Sequence, residues 1–504
     1  MDLHYGQINT LATDASGVIR SPGKKVVFVP NALPGEEIGY SVDSETARYH
    51  RGRLKEIIRP SSDRTAPDCA YYGVCGGCQL QHLSFHAHLL QKRSWFLESC
   101  ARIGRLDSLA MDSLTASLQC VSLQPWHYRQ RARFHLSAKT KGTSTRVLGF
   151  ATDSLADDGE RPLRSARDAG IQHKITSIEN CKVLLPVIEN AIDSLRSVLS
   201  SAGIPDGELQ IELTRCHGPW NNSEQNPAGR QVSLGQSDEF LALSIFHGGR
   251  KRLNIHEKIR SKCIRELAER GLPMVLPEHG DILKIFPGSP QGVPVSEAAI
   301  SPFAVHRLGF VQPHFQSPSL YRSFVETAAR SITDSRMETW DLYGGSGLFA
   351  QALTSINSLE QGTAVLSRKV TIVESSVPAI QAAKLFFATQ SRKPQSSIDL
   401  MPRSVGDFLT EELNHPKKPL PRIIVADPPR SGLEKLVIEK LSKLARRAGS
   451  SGAPLDLILV SCDPAAAARD IAGLLQIGFK IKNCMLVDAF AQTRHYECLT
   501  HLQH

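Results

Sequence analysis

The chain has 504 residues, 41% hydrophobic and 22% charged, a globular composition that excludes a disordered or fibrous protein. At that length one ordinary domain is excluded and two or three are expected. Lys and Arg outnumber Asp and Glu by 59 to 50, a net charge of +9, which suits a polyanionic partner without requiring one.

The start, Met1-Asp2-Leu3-His4-Tyr5, lacks the basic and apolar regions of a secretory leader. No run reaches the roughly 18 apolar residues that span a bilayer, so a cytoplasmic protein without a membrane partner is expected. Residues 1–60 read as β-rich. Short apolar stretches such as Val26-Val27-Phe28-Val29 and Glu37-Ile38-Gly39-Tyr40 alternate with Pro-Gly punctuation at Ser21-Pro22-Gly23 and Leu33-Pro34-Gly35, the spacing of a small barrel. A polar linker, Arg59-Pro60-Ser61-Ser62-Asp63-Arg64, closes this segment.

Next come three cysteines within ten residues, Cys69-x5-Cys75-Gly-Gly-Cys78, with Gly76-Gly77 allowing the backbone to curl. The 11 cysteines are an odd number for a disulfide framework, which favours ligand or catalytic roles. A metal held here needs a fourth ligand; Cys181 is the candidate, with Cys100 and Cys120 as competitors. Spacing leaves zinc and an iron–sulfur cluster both open. A helix is expected from about His82 to Arg102 and a strand over Trp126–Leu136. On that strand Arg129, Arg131 and Arg133 recur every second residue and share a face, either a phosphate-binding stripe or a salt-bridged surface. The stretch 152–170 reads as a polar loop, and amphipathic helices are expected near 185–201 and 255–271.

From about 310 strands and helices alternate. Strands are expected at Thr339–Tyr343, Val370–Glu374, Arg422–Asp427, Leu455–Ser461 and Met485–Phe490, with helices at 348–355, 377–389, 433–447 and 465–476. Such alternation predicts an α/β domain with a largely parallel sheet and a ligand outside the carboxyl ends of its strands. The notable polar residues fall at those ends. Asp341-Leu342-Tyr343-Gly344-Gly345-Ser346-Gly347 is a glycine turn between strand and helix, and Glu374 ends the next strand, placed to accept from two ribose hydroxyls. This pair does not separate NAD from S-adenosylmethionine. Asp427-Pro428-Pro429-Arg430 resembles the Asp/Asn-Pro-Pro-aromatic motif of amino-group methyltransferases but lacks its aromatic residue. Asp407 could accept from an adenine amino group. Cys462, in Ser461-Cys462-Asp463-Pro464, ends a buried strand, where cysteines are commonly inert. Glu497 falls on the last strand.

Together these segments resemble the RNA uracil-C5 methyltransferase family, of the type that acts on 23S rRNA. The resemblance rests on Cys69-x5-Cys75-Gly-Gly-Cys78-x2-Gln81-His82, Tyr128-Arg129-x-Arg131-Ala132-Arg133 and Phe310-x-Gln312-Pro313. It continues through the glycine turn, Asp427-Pro428-Pro429-Arg430-x-Gly432, Ser461-Cys462-x-Pro464 and His495-x-Glu497. It implies an α/β multidomain chain. Residues 1–62 would form a TRAM-like, OB-like RNA-binding barrel, 63–308 a central α+β iron–sulfur domain, and 309–504 a Rossmann-like methyltransferase domain.

It further implies S-adenosylmethionine held by Gln312, Tyr343, Glu374 and Asp427, and a 4Fe–4S cluster on Cys69, Cys75, Cys78 and Cys181. Cys462 would be the nucleophile and Glu497 the general base. Carbon 5 of uracil is a poor nucleophile; thiolate attack at carbon 6 makes an enolate that can take a methyl group, after which a base removes the carbon 5 proton. A monomer acting on 23S rRNA is expected, with tRNA as the alternative substrate. The sequence departs from the family at His314, usually Asn; at Gly344, often Cys; at Leu348; and at Ala491-Gln492, usually Pro-His. A radical methylthiotransferase would need Cys-x3-Cys-x2-Cys, which is absent. A cytosine-C5 enzyme would carry Pro-Cys at the nucleophile, and a non-catalytic iron–sulfur RNA-binding protein would be expected to lack Cys462 or Glu497.

Overall fold

The computed structural model describes residues 2–138, 146–152, 175–202, 204, 209–217, 239–247, 257–277, 282–287, 293–296, 312–330, 336–355, 367–388, 397–415, 417–450, 452 and 454–504. The expected loop at 152–170 falls outside these residues beyond Thr152, and so does Phe310.

Three sheets organise the chain. The first is built from six strands in the order His4–Gln7, Glu37–Glu45, Tyr49–Arg59, Val26–Pro30, Ser16–Ile19, Thr10–Leu11. Its two edge strands are consecutive in sequence, so the sheet must curl. Alternation does the rest: along Val26–Pro30 every second residue is buried, and Val27 and Val29 join Ile8, Ile19, Ile38 and Tyr40 inside. The fully buried Glu36 accepts from the Leu33 and Ser61 backbone N–H groups and from Arg64, which fastens the linker to the sheet.

The second sheet has eight strands, ordered Ile175–Ser177, Leu148–Ala151, Arg131–Leu136, Leu209–His217, Glu239–His247, Pro273–Pro277, Ile282–Pro287, Val293–Ser296. Ala132, Phe134 and Leu136 point into its core together with Leu195, Val198 and Leu199 of the helix Ile192–Ser201. The expected start at Trp126 fails because His127 takes φ +50°, which breaks the extended backbone; the strand begins at Arg131.

The third sheet is Rossmann-like. Its order is Ser397–Met401, Ser367–Val373, Arg336–Leu342, Ile423–Ala426, Asp456–Ser461, Glu497–Gln503, Lys480–Asp488, Leu118–Ser122. The first five run parallel. Ile423–Ala426 and Asp456–Ser461 are buried throughout, as strands covered on both faces should be. Glu497–Gln503 runs antiparallel to both neighbours, with Cys498 opposite Ser461. Its first residue therefore lies at the carboxyl end of the strand before it. The strand order reverses between Arg336–Leu342 and Ile423–Ala426, the crevice where such folds bind ligands.

The segment after the cysteines also belongs to this core. The helix Phe85–Arg102 packs on the helix Pro464–Gln476; Gly104 permits the approach, since a Cβ there would lie 2.7 Å from the Ala468 carbonyl oxygen. Leu118–Ser122 then adds a parallel strand beside Lys480–Asp488. The same helix meets the first sheet, where Trp95 Nε1 donates to the Leu11 carbonyl at 2.8 Å. Among the described residues no helix is long and apolar enough to cross a membrane.

Candidate active site

The glycine turn follows the strand Arg336–Leu342. Tyr343, Gly345 and Gly347 all take positive φ, +57°, +54° and +91°. At Gly347 a Cβ would meet Phe387 at 2.8 Å, whereas at Gly345 nothing stands within 4 Å, leaving space over the turn. Glu374 holds it: Oε2 accepts the Gly345 N–H at 3.1 Å and Oε1 the Ser376 N–H at 2.6 Å, with lone pairs to spare for hydroxyl donors. Asp341 is fully buried; Oδ2 accepts the Ala350 N–H at 2.9 Å while Oδ1 has no partner. Burial, with Asp427 and Glu374 nearby, pushes its carboxyl up to about 8. The orphaned oxygen and the open turn fit a polar cofactor such as S-adenosylmethionine. Asp407, by contrast, is exposed and bonded to Ser404 at a helix start, a capping arrangement.

Cys462 and Glu497 come together from adjacent strand ends. Burial pushes the Cys462 thiol up to about 12, with Glu497, Asp427 and Asp463 adding to the rise and Arg430 opposing it. Glu497 is 5% exposed, and burial and Asp427 hold its carboxyl well above the usual carboxylate range against the pull of Arg430. Burial alone brings Asp427 to about 7. Tyr321, from the helix Ser317–Arg330, lies near enough to Glu497, Asp427 and Cys462 for their charge to push its hydroxyl up, after burial. The site is therefore a cluster of acids and a thiol in which Glu497 is buried, Cys462 and Asp427 are half-buried, and the exposed Arg430 is the cation. Both Tyr321 and the importance of Arg430 are missed by sequence reading. Tyr321 sits on the apolar face of an amphipathic helix and reads as core, and Arg430 reads as a failed aromatic position.

The connection that delivers Glu497 is clamped from three sides. Lys92 Nζ, fully buried, donates to Asp488 Oδ1 at 2.6 Å and to the Phe490 carbonyl at 3.2 Å. The Tyr128 hydroxyl donates to the Ala491 carbonyl at 2.8 Å. The Gln79 and Leu80 N–H groups both donate to the Gln492 carbonyl, where Gln492 takes φ +69°. His495 stays neutral, pushed down to about 3 by burial and then by Arg430, Arg494, Lys92 and Arg129. Gln312 is largely buried, its carbonyl accepting from Gln130 Nε2 at 2.8 Å. His314 stacks on Tyr128 with ring centroids 4.7 Å apart; its Nε2 donates to the Gln124 carbonyl at 3.1 Å and its Nδ1 accepts the Gln316 N–H.

Two expectations are corrected. Among the described residues no three His, Cys, Asp or Glu side chains are arranged to hold a metal ion, which overturns the 4Fe–4S cluster on Cys69, Cys75, Cys78 and Cys181 and the central iron–sulfur domain with it. All four are free cysteines. Cys78 packs with Tyr128, Val183 and Ala491, while Cys75 packs into the core of the second sheet. Burial pushes Cys78 up to about 12 and Cys181 up to about 11, with the neighbouring cysteines adding to both rises. What this segment does is present the N–H groups that hold Gln492. The arginine stripe is the salt-bridged alternative: Arg131 and Arg133 both pair with Glu212, at 2.7 and 3.1 Å, and Arg129 Nε donates to the Arg131 carbonyl.

Residues 307–504 match the family model described as tRNA (Uracil-5-)-methyltransferase. Over its full length the chain is 28% identical to the 23S rRNA (uracil(1939)-C(5))-methyltransferase RlmD of Chromohalobacter salexigens, an alignment covering 98% of this chain and 87% of that protein. It is also 28% identical to an uncharacterized RNA methyltransferase, pc0248, of Protochlamydia amoebophila, covering 99% and 97%. The fold is shared with the Pyrococcus abyssi tRNA (uracil-54, C5)-methyltransferase solved in complex with S-adenosyl-L-homocysteine, with a TM-score of 0.56, 16% identity and coverage of 99% and 100%.

Proposed function

We propose that this S-adenosylmethionine-dependent RNA uracil-C5 methyltransferase acts on a uridine of 23S rRNA through a covalent bond between Cys462 and carbon 6. The observation that carries the reading is the meeting of the half-buried Cys462 with the buried Glu497 at adjacent strand ends, beside Asp427 and Arg430. When bound, S-adenosylmethionine supplies the electrophilic methyl group that carbon 5 receives. Glu374 would hold the ribose, the Tyr343–Gly347 turn would lie against the cofactor, and Gln312 and Asp427 would complete its polar contacts.

Cys462 attacks carbon 6 as the thiolate; Arg430, the cation that eases its ionisation, sits close enough to act. After methylation Glu497 accepts the carbon 5 proton, the C–H electron pair restores the ring double bond, and the thiolate leaves. Glu497 must be ionised at that moment. The target base has to leave its stack to reach a site this enclosed. The curled sheet of residues 1–62 would bind the RNA, residues 309–504 would carry the chemistry and 63–308 would join them, in a monomer.

The full-length likeness to a protein named for 23S rRNA supports ribosomal RNA over tRNA. The test is to incubate the enzyme with tritiated S-adenosylmethionine and both 23S rRNA and tRNA from cells lacking the enzyme. Label at a single 23S rRNA uridine is expected. Label confined to tRNA would overturn the substrate assignment.

A further inference from the structure

Tyr321 is fully buried in the helix Ser317–Arg330. Its ring packs in a core with Val460, Val487 and Leu499, residues of the strands that lead to Cys462 and Glu497. Its hydroxyl has no hydrogen-bond partner. The Ser317 side chain is close but out of hydrogen-bond geometry, and its own hydroxyl donates to the His314 carbonyl at 2.9 Å. Buried phenols normally find a partner, because a desolvated hydroxyl left alone is costly. Phenylalanine would fill the same space without that cost. The helix packs against the strand that starts at Glu497, and the carboxyl and thiol groups whose charge acts on the hydroxyl are Glu497 foremost, then Asp427 and Cys462, which puts the orphaned donor beside the cluster proposed for catalysis.

We propose that Tyr321 is a positioning residue for the base: its hydroxyl donates a hydrogen bond to the Glu497 carboxylate while the carbon 5 proton is removed. The inference rests on the uracil-C5 reading of the site. Burial beside Asp427 favours the protonated form of Glu497, yet proton abstraction needs the carboxylate, and Arg430 is the cation that faces it. A neutral donor on the opposite side stabilises the carboxylate and fixes which oxygen meets carbon 5. Tyr321 keeps its own proton throughout. The proton from carbon 5 goes to Glu497, its electron pair to the C5–C6 bond, and Cys462 departs as thiolate.

The test compares the full-length wild type with Tyr321→Phe in two reactions. Adduct formation on RNA carrying 5-fluorouridine needs attack and methylation but not deprotonation; tritium release from 5-tritiated uridine RNA needs all three. Tyr321→Phe should form the adduct at the wild-type rate and release tritium about 10-fold or more slowly, with unchanged RNA affinity. Its activity–pH profile should shift its acid limb to higher pH, since losing a donor to the carboxylate raises the pH at which Glu497 ionises. Wild-type tritium release, or equal loss in both reactions, would overturn the proposal. A wild-type enzyme that gives neither adduct nor tritium release would instead overturn the uracil-C5 reading. Removal of an unpartnered hydroxyl should leave the melting temperature unchanged or raised, which separates this role from a structural one.

Discussion

Replacing Lys92 by Met should destabilise the protein by about 3–5 kcal/mol. Lys92 and Asp488 are both fully buried, and the bond between them, 2.6 Å long, ties the helix Phe85–Arg102 to the strand Lys480–Asp488. Methionine replaces the aliphatic stem closely, so lost packing should contribute less than about 1.5 kcal/mol. The larger part comes from Asp488, whose second oxygen has no partner and which would be left as an uncompensated buried charge. Adding Asp488→Leu should therefore restore most of the stability, because a buried ion pair replaced as a whole by apolar groups is often neutral. Urea unfolding followed by tryptophan fluorescence measures this, since Trp95 and Trp340 both lie in the core these elements share. A single variant within about 1 kcal/mol of wild type, or a double variant less stable than the single, would refute the reasoning.

Stability should fall as pH rises from about 6.5 to about 8. Asp341 and Asp427, held up to about 8 and about 7, keep protons that the unfolded chain loses from about pH 3.9, and Glu497 is held up in the same sense, so each costs roughly 1.4 kcal/mol per pH unit until its folded value is passed. Below the unfolded histidine value of about 6.5 that loss is offset by His82, His314 and His495, held down to about 4, about 4 and about 3 by burial, which take up protons on unfolding. Denaturation curves from pH 5 to 9 check this, and a profile flat between about 6.5 and about 8 would contradict it.

Glu374→Ala should weaken S-adenosylmethionine binding about 10-fold or more by calorimetry, as it removes both the expected ribose acceptor and the acceptor of the Gly345 N–H; unchanged affinity would remove Glu374 from the site. Asp470 accepts the Leu433 N–H at 2.8 Å beneath the Asp427–Leu433 loop. Asp470→Ala should therefore cost about 1–3 kcal/mol and lower kcat, while Asp470→Asn, which keeps an acceptor, should behave nearly as wild type.

Much of the catalytic core is legible in the sequence because its local signals agree. Buried runs such as Ile423–Ala426 and Leu457-Ile458-Leu459-Val460 are apolar throughout, and the helices Leu348–Ser355 and Pro464–Gln476 fall where periodicity puts them. The strand Leu118–Ser122 is not legible, since its place at the edge of the third sheet depends on a partner over 360 residues away. Lys92 could have been noticed: it shares the apolar face of its helix with His88, Trp95, Phe96 and Ser99, an odd site for an unpaired lysine. The cysteine segment misleads in another way: Cys69, Cys75 and Cys181 lie near enough to Cys78 to act on its thiol, yet among the described residues they are not arranged to hold a metal ion. The arginine stripe stays open between two readings in the sequence because the residue that decides it, Glu212, arrives from the neighbouring strand, directly opposite Arg133.

The central claim is a covalent bond from Cys462 to the pyrimidine. Incubated with S-adenosylmethionine and RNA carrying 5-fluorouridine at the target, then digested and analysed by mass spectrometry, the enzyme should yield a peptide bearing a methylated fluorouridine on Cys462. Cys462→Ala should yield no adduct and no methylation. An adduct on another cysteine, or a Cys462→Ala variant that still methylates RNA, would contradict the account.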